Sequence, residues 1–156
     1  MMFFVISSFE PDAESKCESY LNQALEIDST NPEIFQSLAS VRLSQQRNED
    51  AKVALEKSLN LWINDYEPGH PSIPPYETRI SLVKLLLELS EYVKALSVLE
   101  ILQKENDQVV DLWYLYGWCY FCMSLNDEHK IHLKDAQECL TTCENVNKKI
   151  LLYLHI

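Results

Sequence analysis

Glycine is nearly absent from this chain: only Gly69 and Gly117 occur among 156 residues. Tight hairpin turns with positive φ draw heavily on glycine, so the shortage argues against an all-β fold. Basic residues are also scarce, 13 against 24 acidic ones, for a net charge of −11. A nucleic-acid surface needs a basic patch, so no direct nucleic-acid contact is expected. The acidic balance fits a basic partner, or solubility alone. No apolar run reaches the roughly 20 residues of a membrane helix, so no membrane role is expected. Residues 1–9 are apolar but lack the basic start of a secretory signal. Residues 1–11 therefore read as an irregular N-terminal arm, or as the remnant of a chain whose natural start lies upstream. Also missing are a glycine-rich phosphate loop and a Gly-x-Ser-x-Gly elbow. His70 reads as a surface histidine. The chain is thus not read as an enzyme, and no catalytic residue or cofactor is expected. The five cysteines, an odd number with no secretory signal, fit free thiols in a reducing compartment.

What the chain does have is an aromatic stretch running from Val109 to Cys122. Inside it Trp113, Tyr116, Gly117 and Tyr120 recur at i, i+3, i+4 and i+7, which places them on one helical face. The spacing matches the tetratricopeptide first-helix signature Trp-x2-Leu-Gly-x2-Tyr with one change, Tyr116 for Leu. Glycine inside a helix costs about 1 kcal/mol relative to alanine, and is tolerated where a neighbouring helix must come close.

Taken in order, a helix from about residue 12 to 27 is expected to turn Cys17, Leu21, Ala24 and Leu25 inward. Pro11 suits its first turn. Asn31 and Pro32 then cap and open a second helix. There Phe35, Leu38, Ala39 and Arg42 occupy the signature positions, Arg42 being a departure. Residues 62–75 hold four of the six prolines and Gly69, too many to continue a helix. Trp62, Ile63, Tyr66 and Ile73 make that segment too apolar for a free linker, so it reads as an ordered loop. The next helix puts Arg79, Leu82, Val83 and Leu86 in register. Partner helices carry small-x3-large pairs at Cys17/Leu21, Ala51/Leu55, Ala95/Leu99 and Ala136/Leu140. Ala51 to Ala95 is 44 residues and Ala95 to Ala136 is 41. The repeat period is about 34, so the proline loop and the turn at 125–130 account for the excess. The expected fold is an all-α solenoid of three to four tetratricopeptide hairpins over residues 12–146. Residues 147–156 are expected to begin a further helix or a partial cap.

In such an array the first helices line a groove. The register leaves Glu33, Gln36, Ser37, Ser40 and Ser44 open there, then Glu77, Ile80, Ser81, Lys84 and Glu88. Asp111, Tyr114, Leu115, Trp118, Phe121 and Cys122 follow. Glu33, Glu77, Glu88, Asp111, Tyr114, Trp118 and Phe121 combine carboxylates with aromatic anchors, as recognition of a basic peptide requires. The other reading packs Tyr114, Trp118 and Phe121 beneath the following helix and leaves the charges as a solvated face. Cys119-x2-Cys122 and Cys139-x3-Cys143, with His129 and His132 between, have spacings a zinc site could use. All four cysteines fall within expected helices, and free cysteine is commonly buried, so packing is preferred and no metal is expected.

Three runs carry a closer resemblance: residues 38–45, residues 73–89 with their Pro-Pro-Tyr-Glu-Thr-Arg, and residues 110–120. Together they resemble the family of dedicated assembly chaperones for ribosomal protein L-four of the large subunit, over roughly residues 15–146, with this chain looking like a shortened member. The resemblance implies a non-enzymatic holder of a newly made, basic ribosomal protein, acting in cytoplasm and nucleus. The alternative is a general repeat scaffold in a larger complex without a ribosomal client. Another tetratricopeptide subgroup clamps chaperone carboxylates with basic groove residues. Here the corresponding Gln36, Ser40, Ser81, Asp111 and Leu115 include no base, which argues against that clamp.

Overall fold

The start of the second helix shows how local chemistry sets the chain's boundaries. In the computed structural model, which describes residues 12–126 and 130–154, the Asn31 side chain accepts the Glu33 backbone N–H at 2.9 Å, and Pro32 takes the first helical position. Asparagine there satisfies an amide the helix cannot, and proline has no amide to lose.

Seven helices and no strand occur among the described residues: α1 (Ala13–Ile27), α2 (Pro32–Ser44), α3 (Asn48–Asn60), α4 (Tyr76–Glu88), α5 (Tyr92–Glu105), α6 (Val110–Leu125) and α7 (Ile131–Tyr153). The chain divides into two compact units after Pro74, inside the proline-rich segment. The expected arm at 1–11, with Pro11, lies outside the described residues.

In the first unit α2 packs between α1 and α3. Leu38, Ala39, Ala51, Ala54 and Leu55 are all but sealed from solvent. Ser58 is fully buried and donates to the Pro32 carbonyl at 2.8 Å, tying α3 to the first turn of α2. Arg42 lies where the repeat signature has an aromatic residue. Its Nε donates to Glu18 of α1 at 3.2 Å, and Arg47 reaches the other Glu18 oxygen at 2.8 Å. Burial alone would raise the Glu18 carboxyl, but the hydrogen bonds from Arg42 and Arg47 outweigh it and hold it below its ordinary 4.5. Cys17 is exposed, against expectation, because α1 packs on α2 alone among the described helices and its half-buried edge runs through Glu18, Leu21 and Leu25 instead.

The proline-rich segment is ordered by two consecutive turns. His70 N–H bonds the Glu67 carbonyl across Pro68-Gly69, with Gly69 at φ +83°, which is the type II geometry that proline followed by glycine favours. Ile73 N–H then bonds the His70 carbonyl across Pro71-Ser72. Trp62 anchors the start of the segment at 2% exposure.

In the second unit α5 packs on both α4 and α6, and α7 packs on α6. Leu82, Val83, Ala95, Val98, Leu99, Leu102 and Leu112 are completely buried. Gly117 permits the tightest approach. A Cβ there would stand 2.8 Å from Leu140 Cγ and Cδ2 on α7, which no undisturbed packing allows. The helix expected to stop near residue 146 continues to Tyr153. No proline or glycine interrupts residues 131–153, so nothing local breaks it. Lys149 on this extension donates to Gln108 at 3.1 Å.

α2 and α4 end alike. Gln46 and Ser90 adopt positive φ, 61° and 60°. Their amides bond Leu43 and Leu87, while Arg47 and Glu91 reach back to Arg42 and Leu86. These are paired Schellman caps, here built without glycine.

Candidate protein-binding face

α6 carries aromatic residues on two opposite faces. Trp113, Tyr116 and Tyr120 form an inward ladder with centroid steps of 5.8 and 6.1 Å, ending on His132 of α7 at 5.8 Å. Trp113 Nε1–H donates to the Asp107 carbonyl at 2.7 Å, and the Tyr116 hydroxyl to Gln103 at 3.1 Å. Burial raises the Tyr116 phenol, so it serves as a donor and not as a charge.

The other face is open. Tyr114, Trp118 and Phe121 are 53%, 47% and 37% exposed, so they do not pack beneath the following helix. The Trp118 and Phe121 rings sit 5.8 Å apart, tilted. Asp111, one turn before Tyr114, continues the line. Its carboxylate meets Lys84 of α4 at 3.4 Å, with both side chains more than half exposed. Glu77, Ser81, Lys84 and Glu88 are the exposed edge of α4 on that side. Six of the seven expected contact residues are thus exposed on α4 and α6 of the second unit. Glu33 belongs to the first unit, where it is exposed in the first turn of α2. There it lines a cleft of about 430 Å³ with Asp28, Thr30, His70 and Pro71.

Three positions read as open are not. Gln36, Ile80 and Leu115 are 9%, 2% and 4% exposed. First helices meet neighbours on two sides, α2 on α1 and α3, and α4 on α5 and α6. Their apolar face is therefore broader than the four signature positions suggest. The Lys84–Asp111 pair joins sequence-distant residues, and only the packing of α4 on α6 reveals it.

Two further ion pairs fix the frame. Arg79 stands where the signature has Trp113, and its two terminal nitrogens fork onto Glu105 at 2.7 Å each. Its guanidinium lies 5.8 Å from the Tyr76 ring centroid. The Tyr76 hydroxyl donates to the Asn106 carbonyl, and burial, followed by the Glu105 charge, pushes its pKa up to about 12. The Tyr-Glu-Thr-Arg run is thereby a clamp between the start of α4 and the end of α5.

The four cysteines of α6 and α7 are packing groups. Cys119 Sγ donates to the Tyr92 carbonyl and Cys143 Sγ to the Val110 carbonyl, each at 3.6 Å. Burial pushes the Cys119 thiol up to about 12 and Cys139 to about 11, and raises Cys122 and Cys143. Among the described residues no cluster of three or more His, Cys, Asp or Glu could hold a metal, and His129 lies outside them. No helix among them is long and apolar enough to cross a membrane.

Paired helices with this register define a protein of the tetratricopeptide type, an all-α helical-hairpin repeat. No protein-family model matches the chain. It is 50% identical over 114 residues to "Probable assembly chaperone of rpl4" from Emericella nidulans, covering 73% of this chain and 30% of that protein. The Schizosaccharomyces pombe protein of the same name is 45% identical over 120 residues, covering 76% and 36%. A solved structure described as "Assembly Chaperone of RpL4 (Acl4)" superposes with a TM-score of 0.72 at 41% identity, over 76% of this chain and 42% of that one. Over the shared residues the chain belongs to the family of rpl4 assembly chaperones, and it spans about a third of the length of the curated relatives it matches.

Proposed function

We propose that this chain is a non-enzymatic holder of a newly made ribosomal protein of the L-four type, and that the open face of α4 and α6 receives a basic segment of it. The observation that carries the reading is a line of exposed rings beside acidic residues, Glu77, Glu88 and Asp111, in a chain related to proteins named for that client. Aromatic anchors give binding energy when desolvated, and acidic groups speed the encounter with a cationic segment. Such a holder screens positive charge until assembly, and its client's route would take it through cytoplasm and nucleus. Glu33, in the first unit, is proposed as a further contact.

The test is calorimetry and stopped-flow binding of the L-four protein to the chain and to a variant with Glu77, Glu88 and Asp111 changed to Lys. The variant is expected to bind at least about tenfold more weakly at low salt, mostly through slower association. Unchanged binding overturns the choice of face. Co-purification of a stable multi-subunit assembly lacking any ribosomal protein overturns the client.

A further inference from the structure

We infer that the α4–α6 face reads arginine in preference to lysine, with Lys84 resting on Asp111 as an internal competitor that the incoming guanidinium displaces. This rests on the proposed reading of the face as the seat of a basic segment.

The chain already contains the implied arrangement once, in closed form. Arg79 stacks over Tyr76 while both its terminal nitrogens fork onto Glu105. The open face offers the same two components without an arginine of its own. Asp111, Tyr114, Trp118 and Phe121 fall at i, i+3, i+7 and i+10, so a carboxylate is followed by three rings along one line of α6. The chain's three arginines, Arg42, Arg47 and Arg79, are each engaged with a carboxylate elsewhere.

A guanidinium is planar and weakly hydrated. It can lie on an aromatic face and keep its edge N–H groups on a carboxylate at the same time, and Tyr114, one turn from Asp111, is the ring within reach. A lysine ammonium is compact and strongly hydrated, and does one of these at a time. The cation already present is a lysine. Lys84 meets Asp111 at 3.4 Å in a pair whose side chains are 55% and 59% exposed. Solvent screening makes such a pair weak. An incoming lysine would replace it like for like, whereas an arginine would add a fork and a stack.

The experiment titrates the full chain with two synthetic peptides of equal length and charge, one with arginine and one with lysine at every basic position. Calorimetry is expected to give about tenfold tighter binding of the arginine peptide. In Tyr114→Ala, with its helical circular dichroism unchanged, the two peptides should fall within about twofold of one another. Lys84→Gln should bind the arginine peptide about threefold more tightly, since Asp111 is then unoccupied. Equal affinities in the unmodified chain overturn the preference and leave the holder reading standing. Binding of neither peptide overturns the reading itself. Weaker binding by Lys84→Gln overturns the competitor role.

Discussion

Residues that break the repeat signature are the ones that hold this protein's helices in place. Arg79 stands in an aromatic position and is 4% exposed, so removing it takes the forked pair from Glu105 at the C-terminal end of α5, where a negative charge is already disfavoured. Arg79→Met is expected to cost about 2 kcal/mol in urea unfolding, and Arg79→Lys more than half of that, because only the planar fork spans both carboxylate oxygens. Glu18 makes a prediction about pH. Its carboxyl is held below 4.5 in the folded chain, so the unfolded chain binds its proton first. The stability it supplies is complete above that value and fades as pH falls through the folded one. Glu18→Gln should therefore cost about 1 kcal/mol at pH 7, and the two proteins should converge in stability only once the pH has fallen through the lowered value of the folded carboxyl. Ser90 adopts positive φ without being glycine. Ser90→Gly should stabilise by about 0.5–1 kcal/mol, read as a raised Tm.

At the scale of elements, the contact of α6 with α7 turns on a single missing Cβ. Gly117→Ala gains helix propensity of about 1 kcal/mol but drives the new carbon into Leu140. We expect a net loss of about 1 kcal/mol. In a Leu140→Ala background the same change should become stabilising, a coupling of about 2 kcal/mol in a double-mutant cycle. Sequence periodicity found this helix pair, its close approach and the caps at Asn31 and Pro32, because each depends on neighbours within a few residues. It misjudged Cys17, Ile80 and Leu115. Their burial depends on how many helices surround α1, α4 and α6, and no local pattern encodes that number. It also ended α7 too early, since the polar run Asn147-Lys148-Lys149 resembles a turn but contains no breaker.

For the whole molecule, exposure and charge make the testable statements. Of the five thiols only Cys17 is exposed, so one should react rapidly with a thiol reagent in the native protein and all five after unfolding. Fast labelling of Cys119 or Cys139 would contradict the packing of α6 on α7. With a net charge of −11, association with a basic polypeptide should slow steeply as salt rises, while dissociation changes little.

By itself the sequence determined that this chain is all helical, that its helices pair at a repeat spacing, and that its surface is acidic. Each follows from composition and from residues three or four apart. The tertiary structure decided which aromatic face of α6 is open. It also set Lys84 against Asp111 and paired Arg79 with Glu105. Those facts need residues some 26 or 27 positions apart to meet, which only the packing of whole helices can arrange.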